Sequence, residues 1–285
     1  MLLGTRSVEK LPDDLKPALL VSYVYIKEFL SKQERYMYRD WALDSGAFSA
    51  LNSGKEIKLQ EYIDCCKRLM DTDNTLAEVF SLDVIGDWKA SLKNTEEMWR
   101  QGISAIPCYH HGEPWDVLKG MAKDYPKIAL GGVAFKFGIK NKFAEQCFAR
   151  VWPKRIHGFG YGSEKSIMAL PWDSVDATNW EIGPCKYGSW KSFGKMSVRG
   201  STQNLRAEVE YYLKLERRAR NKFGKQLAAL GSKHEYRLSY STGGGGKVAE
   251  KTLDLRLALS GNLGTPDTEE LKGKEVIRKK TGLIK

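Results

Sequence analysis

Short apolar runs alternate with stretches of helical spacing along the first 180 residues. Residues 18–25 (ALLVSYVY) are rich in β-branched and aromatic side chains and predict a strand. Six further strands are predicted at 38–43, 77–82, 104–108, 127–130, 155–159 and 172–175. Between them, Leu59, Ile63, Cys66 and Met70 recur at helical spacing. A helix running to Arg100 is expected to be capped by Ser91 or Asn94. Others are expected over 115–125, 143–152 and 164–170, with Pro126 and Pro153 as stops after the first two. Strands alternating with helices imply a parallel sheet with right-handed crossovers. Residues 195–199 or 235–240 could supply an eighth strand. Seven or eight such units favour an α/β fold of the closed (β/α)8 barrel type, since an open doubly wound sheet usually has about five or six strands. No G-x-G-x-x-G follows the first predicted strand, which argues against a dinucleotide fold.

The pattern changes after residue 200. Ser201 and Thr202 can cap a long helix with Leu205, Val209, Tyr212, Ala219, Phe223, Leu227 and Leu230 on one face. Its other face carries Arg206, Lys214, Arg217, Arg218, Arg220, Lys222 and Lys225. Four glycines at 243–246 read as a hinge, 248–259 as a second helix, and the end holds Arg278, Lys279 and Lys280. The expected division is a barrel over 1–200 and a basic, largely helical extension over 201–285. That extension is available to complete the barrel and to bind nucleic acid.

Charge sharpens this division. Residues 1–185 hold 24 Lys and Arg against 25 Asp and Glu, whereas residues 186–285 hold 22 against 10. A basic surplus confined to one end suggests a polyanionic partner, because Lys and Arg that neutralise phosphates release counterions. The five cysteines form no C-x-x-C pair, so neither a disulfide scaffold nor a tetrahedral zinc site is expected. No apolar run approaches the ~18 residues of a membrane helix, and the first residues lack the apolar core of a secretory signal. The expectation is a cytoplasmic protein with no membrane partner.

In a (β/α)8 barrel the chemistry sits on the loops after the strands. Here those positions collect Asp44, Asp83, His110, Gly131 and Gly132, glycines 158, 160 and 162, and Asp176. One Asp after a strand commonly caps a helix; three, set among glycines, point to a ligand. Glycine lets a flat ligand approach the backbone. Phe48, Phe135, Phe159 and Tyr161 could sandwich such a ring, although core packing is the commoner use of aromatics.

These segments resemble the tRNA-guanine transglycosylases. Leu43-Asp44-Ser45-Gly46-Ala47-Phe48-Ser49 is similar to the family's DSGGF/Y-Q motif. Gly131-Gly132-Val133-Ala134 resembles its GGL-type loop, and His157-Gly158-Phe159-Gly160-Tyr161-Gly162 its H-x-x-G-x-G. Trp172-Asp173-Ser174-Val175-Asp176-Ala177 resembles the D-x-x-D-C segment that carries the nucleophile. The order agrees across about residues 18–180. The chain departs from the family in lacking the C-x-C-x-x-C…H zinc site, in Thr178-Asn179-Trp180 where the family has P-T-R, and in Ser49 where it has Gln. It is also shorter than the bacterial tRNA enzymes. A barrel mouth without the zinc subdomain is most similar to the phage and bacterial 7-deazaguanine DNA transglycosylases.

The resemblance implies exchange of guanine in DNA for a 7-deazaguanine base of the preQ0 type. It implies Asp176 as nucleophile on the sugar, Asp44 as general acid and base, and Asp83 as reader of the guanine edge. Ser45, Gly131, Gly132, Val133, Phe159 and His110 would line the base site, His110 in place of a base-reading Gln. Lys191, Arg217, Arg218 and Arg220 would hold nucleic acid, and Trp190 would stack a base. No metal or other cofactor is implied. Asp173 is the alternative nucleophile. Cys108, Cys65 and Cys66 read as core packing, and His110 and His111 also fit a structural role. A tRNA-acting transglycosylase and a non-catalytic nucleic-acid-binding barrel stay open as alternatives.

Overall fold

The protein is represented by a computed structural model that describes residues 1–5, 14–35, 37–54, 56–133, 138–192 and 205–230. Eight strands are present: β1 (Leu2–Thr5), β2 (Ala18–Ser22), β3 (Trp41–Asp44), β4 (Leu76–Val79), β5 (Cys108–His110), β6 (Lys127–Gly131), β7 (Arg155–Gly158) and β8 (Ser174–Ala177). All pair in parallel, in the order β4-β3-β2-β1-β8-β7-β6-β5. The two edges meet at a parallel bridge between Phe80 and Ile106. There Ile106 N–H donates to the Val79 carbonyl and Ser81 N–H to the Ile106 carbonyl, each at 2.9 Å. The result is the expected (β/α)8 barrel.

Strand alternation sorts the side chains into two layers. Leu3, Leu19, Val21, Leu43, Ile128, Leu130, Ile156 and Val175 point outward into the main core beneath the helices. Leu2, Ala18, Leu20, Ala42, Phe80, Ile106, Cys108 and Ala129 fill the barrel interior. Both faces are buried, so the strands read as continuous apolar runs.

Nine helices are described: α1 (Ile26–Lys32), α2 (Ala47–Asn52), α3 (Leu59–Thr72), α4 (Trp88–Arg100), α5 (Trp115–Asp124), α6 (Lys140–Val151), α7 (Glu164–Ile167), α8 (Asn179–Ile182) and α9 (Arg206–Ala228). The expected cap of α4 is corrected. Asp87 is the cap, its Oδ1 accepting from Lys89 and Ala90 N–H at 3.0 Å, while Ser91 lies in the first turn with its hydroxyl 3.0 Å from the Asp87 carbonyl. α9 buries Val209 and Tyr212 in the main core, as its spacing predicts, together with Leu215, which was not among the predicted positions.

The strand predicted at 18–25 ends at Ser22, where Tyr23–Tyr25 tightens into a 3-10 turn leading to α1. The eighth strand is the N-terminal one, β1. It pairs Leu2 and Leu3 with Asp176 and Ala177 on one side and with Ala18 and Leu19 on the other. Residues 195–199 and 235–240, the glycines 243–246, the helix at 248–259, Ser201 and Thr202 lie outside the described residues.

Candidate active site

Asp44, at the end of β3, is held by its own turn. The Ser45 and Gly46 N–H groups beside its carboxylate favour the charged form. Gly46 has φ +76°, and a Cβ there would lie 2.6 Å from Ser22 Oγ and 2.9 Å from Val24 Cγ2. Both the conformation and the space require glycine. Burial, and the nearby charges of Asp83 and Asp176, push the Asp44 carboxyl up to about 7.

Asp83 follows β4 and faces His110 at the end of β5, with Oδ2 3.2 Å from His110 Nε2. The other ring nitrogen, Nδ1, lies 3.1 Å from Glu113 Oε1, and Glu113 Oε2 accepts the His110 backbone N–H at 3.0 Å. Cys108, Asp83 and Glu113 together raise the His110 pKa against the effect of burial. Burial likewise raises Asp83, with His110 opposing it. Asp83 Oδ1 is buried and has no hydrogen-bond partner among the described residues. The Cys108 thiol is pushed up to about 12 by burial, which makes it a poor nucleophile at neutral pH.

Asp176 stands near the end of β8. Its Oδ1 accepts the Gly160 N–H at 2.6 Å and lies 3.8 Å from His157 Nε2. The loop after β7 reaches it because residue 162 is glycine: a Cβ there would sit 2.4 Å from Ala177 Cβ. Phe80, His157 and Phe159 form an aromatic cluster with ring centroids 4.5–4.7 Å apart. Phe159 is the half-buried member. Lys140, at the start of α6, donates to the Gly160 carbonyl at 3.1 Å and feels the charge of Asp176.

Asp44, Asp83, His110 and Asp176 thus share one end of the barrel, with Ser45 buried beside Asp44. Gly131 is buried against Cys108 and His110, Gly132 is exposed, and the Val133 side chain is buried in the main core. The close approach that glycine permits at 131 is therefore filled by the protein's own side chains. Asp173 lies elsewhere. It precedes β8, and its carboxylate is paired with Lys127 at 2.6 Å and Arg155 at 2.7 Å, the first residues of β6 and β7.

Two of the basic candidates, Arg217 and Arg220, lie apart from the carboxylates. Arg217 and Arg220 line a cleft of about 590 Å³ with Arg39, Lys214 and Glu216. Glu216 pairs with the Met1 amino group at 3.4 Å and with Arg39, so this cleft lies where β1 and β3 begin. Arg220 pairs with Glu216 at 2.8 Å and Arg218 with Glu164 at 2.6 Å. Lys191 is exposed. Trp190 is buried in the main core, which corrects its expected stacking role. Tyr161 is fully buried against Trp172, Phe48 is exposed, and Phe135 lies outside the described residues.

Glu113 and Lys140 were not legible as site residues, and His157 was read only as part of the H-x-x-G-x-G resemblance. Glu113 follows His110 by three positions, its one local signal. Asp83, Cys108 and His110 each offer one ligand atom, all within 4.8 Å of one another, so they could hold a metal ion. Here the hydrogen bonds of His110 to Asp83 and Glu113 already use both ring nitrogens. Comparison with family models, curated proteins and solved structures gives no match for this chain. The fold and the site therefore define it only as a (β/α)8 barrel with three carboxylates at the strand ends.

Proposed function

We propose that this barrel is a transglycosylase that exchanges guanine in DNA for a 7-deazaguanine base through a covalent Asp176–deoxyribose intermediate. The observation that carries this reading is the placement of Asp44, Asp83 and Asp176 at strand ends on one side of the barrel, near enough for the other two to act on Asp44. A carboxylate nucleophile suits the oxocarbenium-like centre at C1′, as in retaining glycosidases. Asp176 Oδ2 forms the bond to C1′ as the bond to guanine N9 breaks, and the leaving base takes a proton from Asp44. The incoming base returns its N9 proton to Asp44, N9 bonds to C1′, and the Asp176 carboxylate is released. A carboxyl with pKa near 7 can both give and take that proton at neutral pH.

Asp83 supports base selection. An ionised carboxylate only accepts hydrogen bonds, and guanine presents two adjacent donors at N1 and the 2-amino group. The buried, unpartnered Oδ1 suits one of them, and His110 orients the group through Oδ2. A guanine inside a duplex is out of reach, so the nucleotide is flipped out or single-stranded. The choice of DNA rests on the absence of the family's cysteine-rich zinc segment from the sequence.

The test is release of labelled guanine from matched DNA and tRNA when a 7-deazaguanine is supplied. Release from DNA alone is expected. Release from tRNA alone would overturn the polymer and keep the chemistry; release from neither would overturn the enzyme and leave a nucleic-acid-binding barrel.

A further inference from the structure

The interior of the barrel contains a chain of hydrogen bonds that ends at Asp176. Lys127, at the start of β6, is buried and contacts both oxygens of Glu78 at 2.8 Å, Asp173 Oδ2 at 2.6 Å and Ser174 Oγ at 2.9 Å. An ammonium group only donates, so Ser174 Oγ is the acceptor in the last of these contacts. Its single O–H is then free for His157 Nδ1, which lies 2.8 Å away. With that O–H donated to Nδ1 the ring proton falls on Nε2; the reverse arrangement, Nδ1–H to Oγ, would leave the buried hydroxyl proton with no acceptor among the described residues. Burial lowers the His157 pKa, so no second proton is expected.

That Nε2 is buried and makes no hydrogen bond among the described residues. Asp176 Oδ1, 3.8 Å away, is the carboxylate atom it faces. The imidazole is packed against Phe80 and Phe159, with centroid separations of 4.7 and 4.5 Å, which hinders its turning aside. Oδ1 already accepts from Gly160 N–H at 2.6 Å, whereas Oδ2 has no hydrogen bond among the described residues.

We infer that His157 is a positioning residue for Asp176: its Nε2–H, directed through Ser174 by Lys127, faces Oδ1 from 3.8 Å, closes on it beside the Gly160 N–H during turnover and leaves Oδ2 as the attacking atom. The assignment of the ring proton depends on the hydrogen bonds alone. The consequence for turnover rests on the transglycosylase reading. In the covalent intermediate Oδ1 becomes the ester carbonyl. When the incoming base attacks C1′, negative charge returns to the carboxylate, and donors already aimed at Oδ1 stabilise it.

Two measurements on the whole chain test this. Long-range proton–nitrogen NMR of the imidazoles, without substrate, should show His157 in the Nε2–H form. Ser174→Ala should weaken that preference, because Nδ1 loses its donor while Asp176 still faces Nε2. An Nδ1–H tautomer or a doubly protonated ring in the wild type would overturn the inference, whatever the enzyme does. In the exchange assay, His157→Phe should lower kcat by about 100-fold with little change in KM, the scale of losing one preorganised donor. His157→Gln, whose amide nitrogen can occupy the place of Nε2, should recover most of that loss. Equal loss in both variants, with both folded by circular dichroism, would overturn the positioning role. If the wild type shows the Nε2–H form but exchanges no base, the transglycosylase reading fails and the hydrogen-bond assignment stands.

Discussion

Lys127 and Asp173 form an ion pair of 2.6 Å at the end of the barrel where the strands begin. Arg155 and Glu78 complete the cluster, so two buried cations are matched by two carboxylates. Asp176, three residues beyond Asp173, accepts instead from Gly160 in a loop at the other end. Asp173 lies just before β8 begins, and Asp176 near its end. The strand between them sends the two carboxylates to opposite ends of the barrel. One carboxylate neutralises the barrel floor, and the other is available to chemistry.

Asp173→Asn should be costly to stability, because it leaves Lys127 and Arg155 with one buried countercharge fewer. Removing one member of a buried pair typically costs about 3–5 kcal/mol. Asp176→Asn should leave the urea midpoint nearly unchanged while abolishing exchange and covalent trapping of DNA. A stable, inactive Asp173 variant beside an active Asp176 variant would reverse the assignment.

The pH dependence of stability should report Asp44. Its carboxyl is pushed up to about 7, well above the usual value near 4. A group with a raised folded pKa holds its proton more tightly in the folded chain. Its contribution is whole below about pH 4 and is lost as pH rises to about 7. Asp44→Asn should therefore flatten the unfolding free energy across that interval, measured by urea titration at several pH values. The variant should also stop turnover, since an amide cannot shuttle the proton.

Base selection should fail without Asp83. Adenine presents an acceptor at N1, which would face the carboxylate with no proton between them. An unpaired buried charge costs several kcal/mol, enough for discrimination beyond about a hundredfold. Asp83→Ala should lose guanine exchange chiefly in KM for the incoming base. Wild-type guanine selectivity in that variant would remove Asp83 from the base site.

Exchange should survive exhaustive chelation, because both proposed catalytic groups are carboxylates. Elemental analysis provides the check. One tightly held divalent metal per chain, removed together with activity, would place an ion at Asp83, Cys108 and His110.

Neutralising Arg217, Arg218 and Arg220 should weaken nucleic-acid binding. The slope of log affinity against log salt should fall by about 0.9 for each duplex phosphate that is no longer neutralised, or about 0.7 on a single strand. Arg218 and Arg220 already have acidic partners, so most of the change is expected from Arg217. Binding curves across a salt series decide it; an unchanged slope would show that this face of α9 meets something else.

Strands buried on both sides read as apolar runs, and five of the seven predicted runs are ended by Asp or Gly; the run at 104–108 meets β5 only at Cys108. The same punctuation marked Asp44, Asp83 and Asp176 as residues of strand ends. β1 was not legible, since Leu2–Thr5 is too short to show a period. Its place between β2 and β8 makes it a strand. The roles of Asp173 and Trp190, and the link from Lys127 through Ser174 to His157, also needed the tertiary structure. Local spacing reports which side of an element is buried. Which buried charge neutralises which depends on strand register, and that register brings Lys127 to Glu78 and Ser174 across 49 and 47 residues of chain.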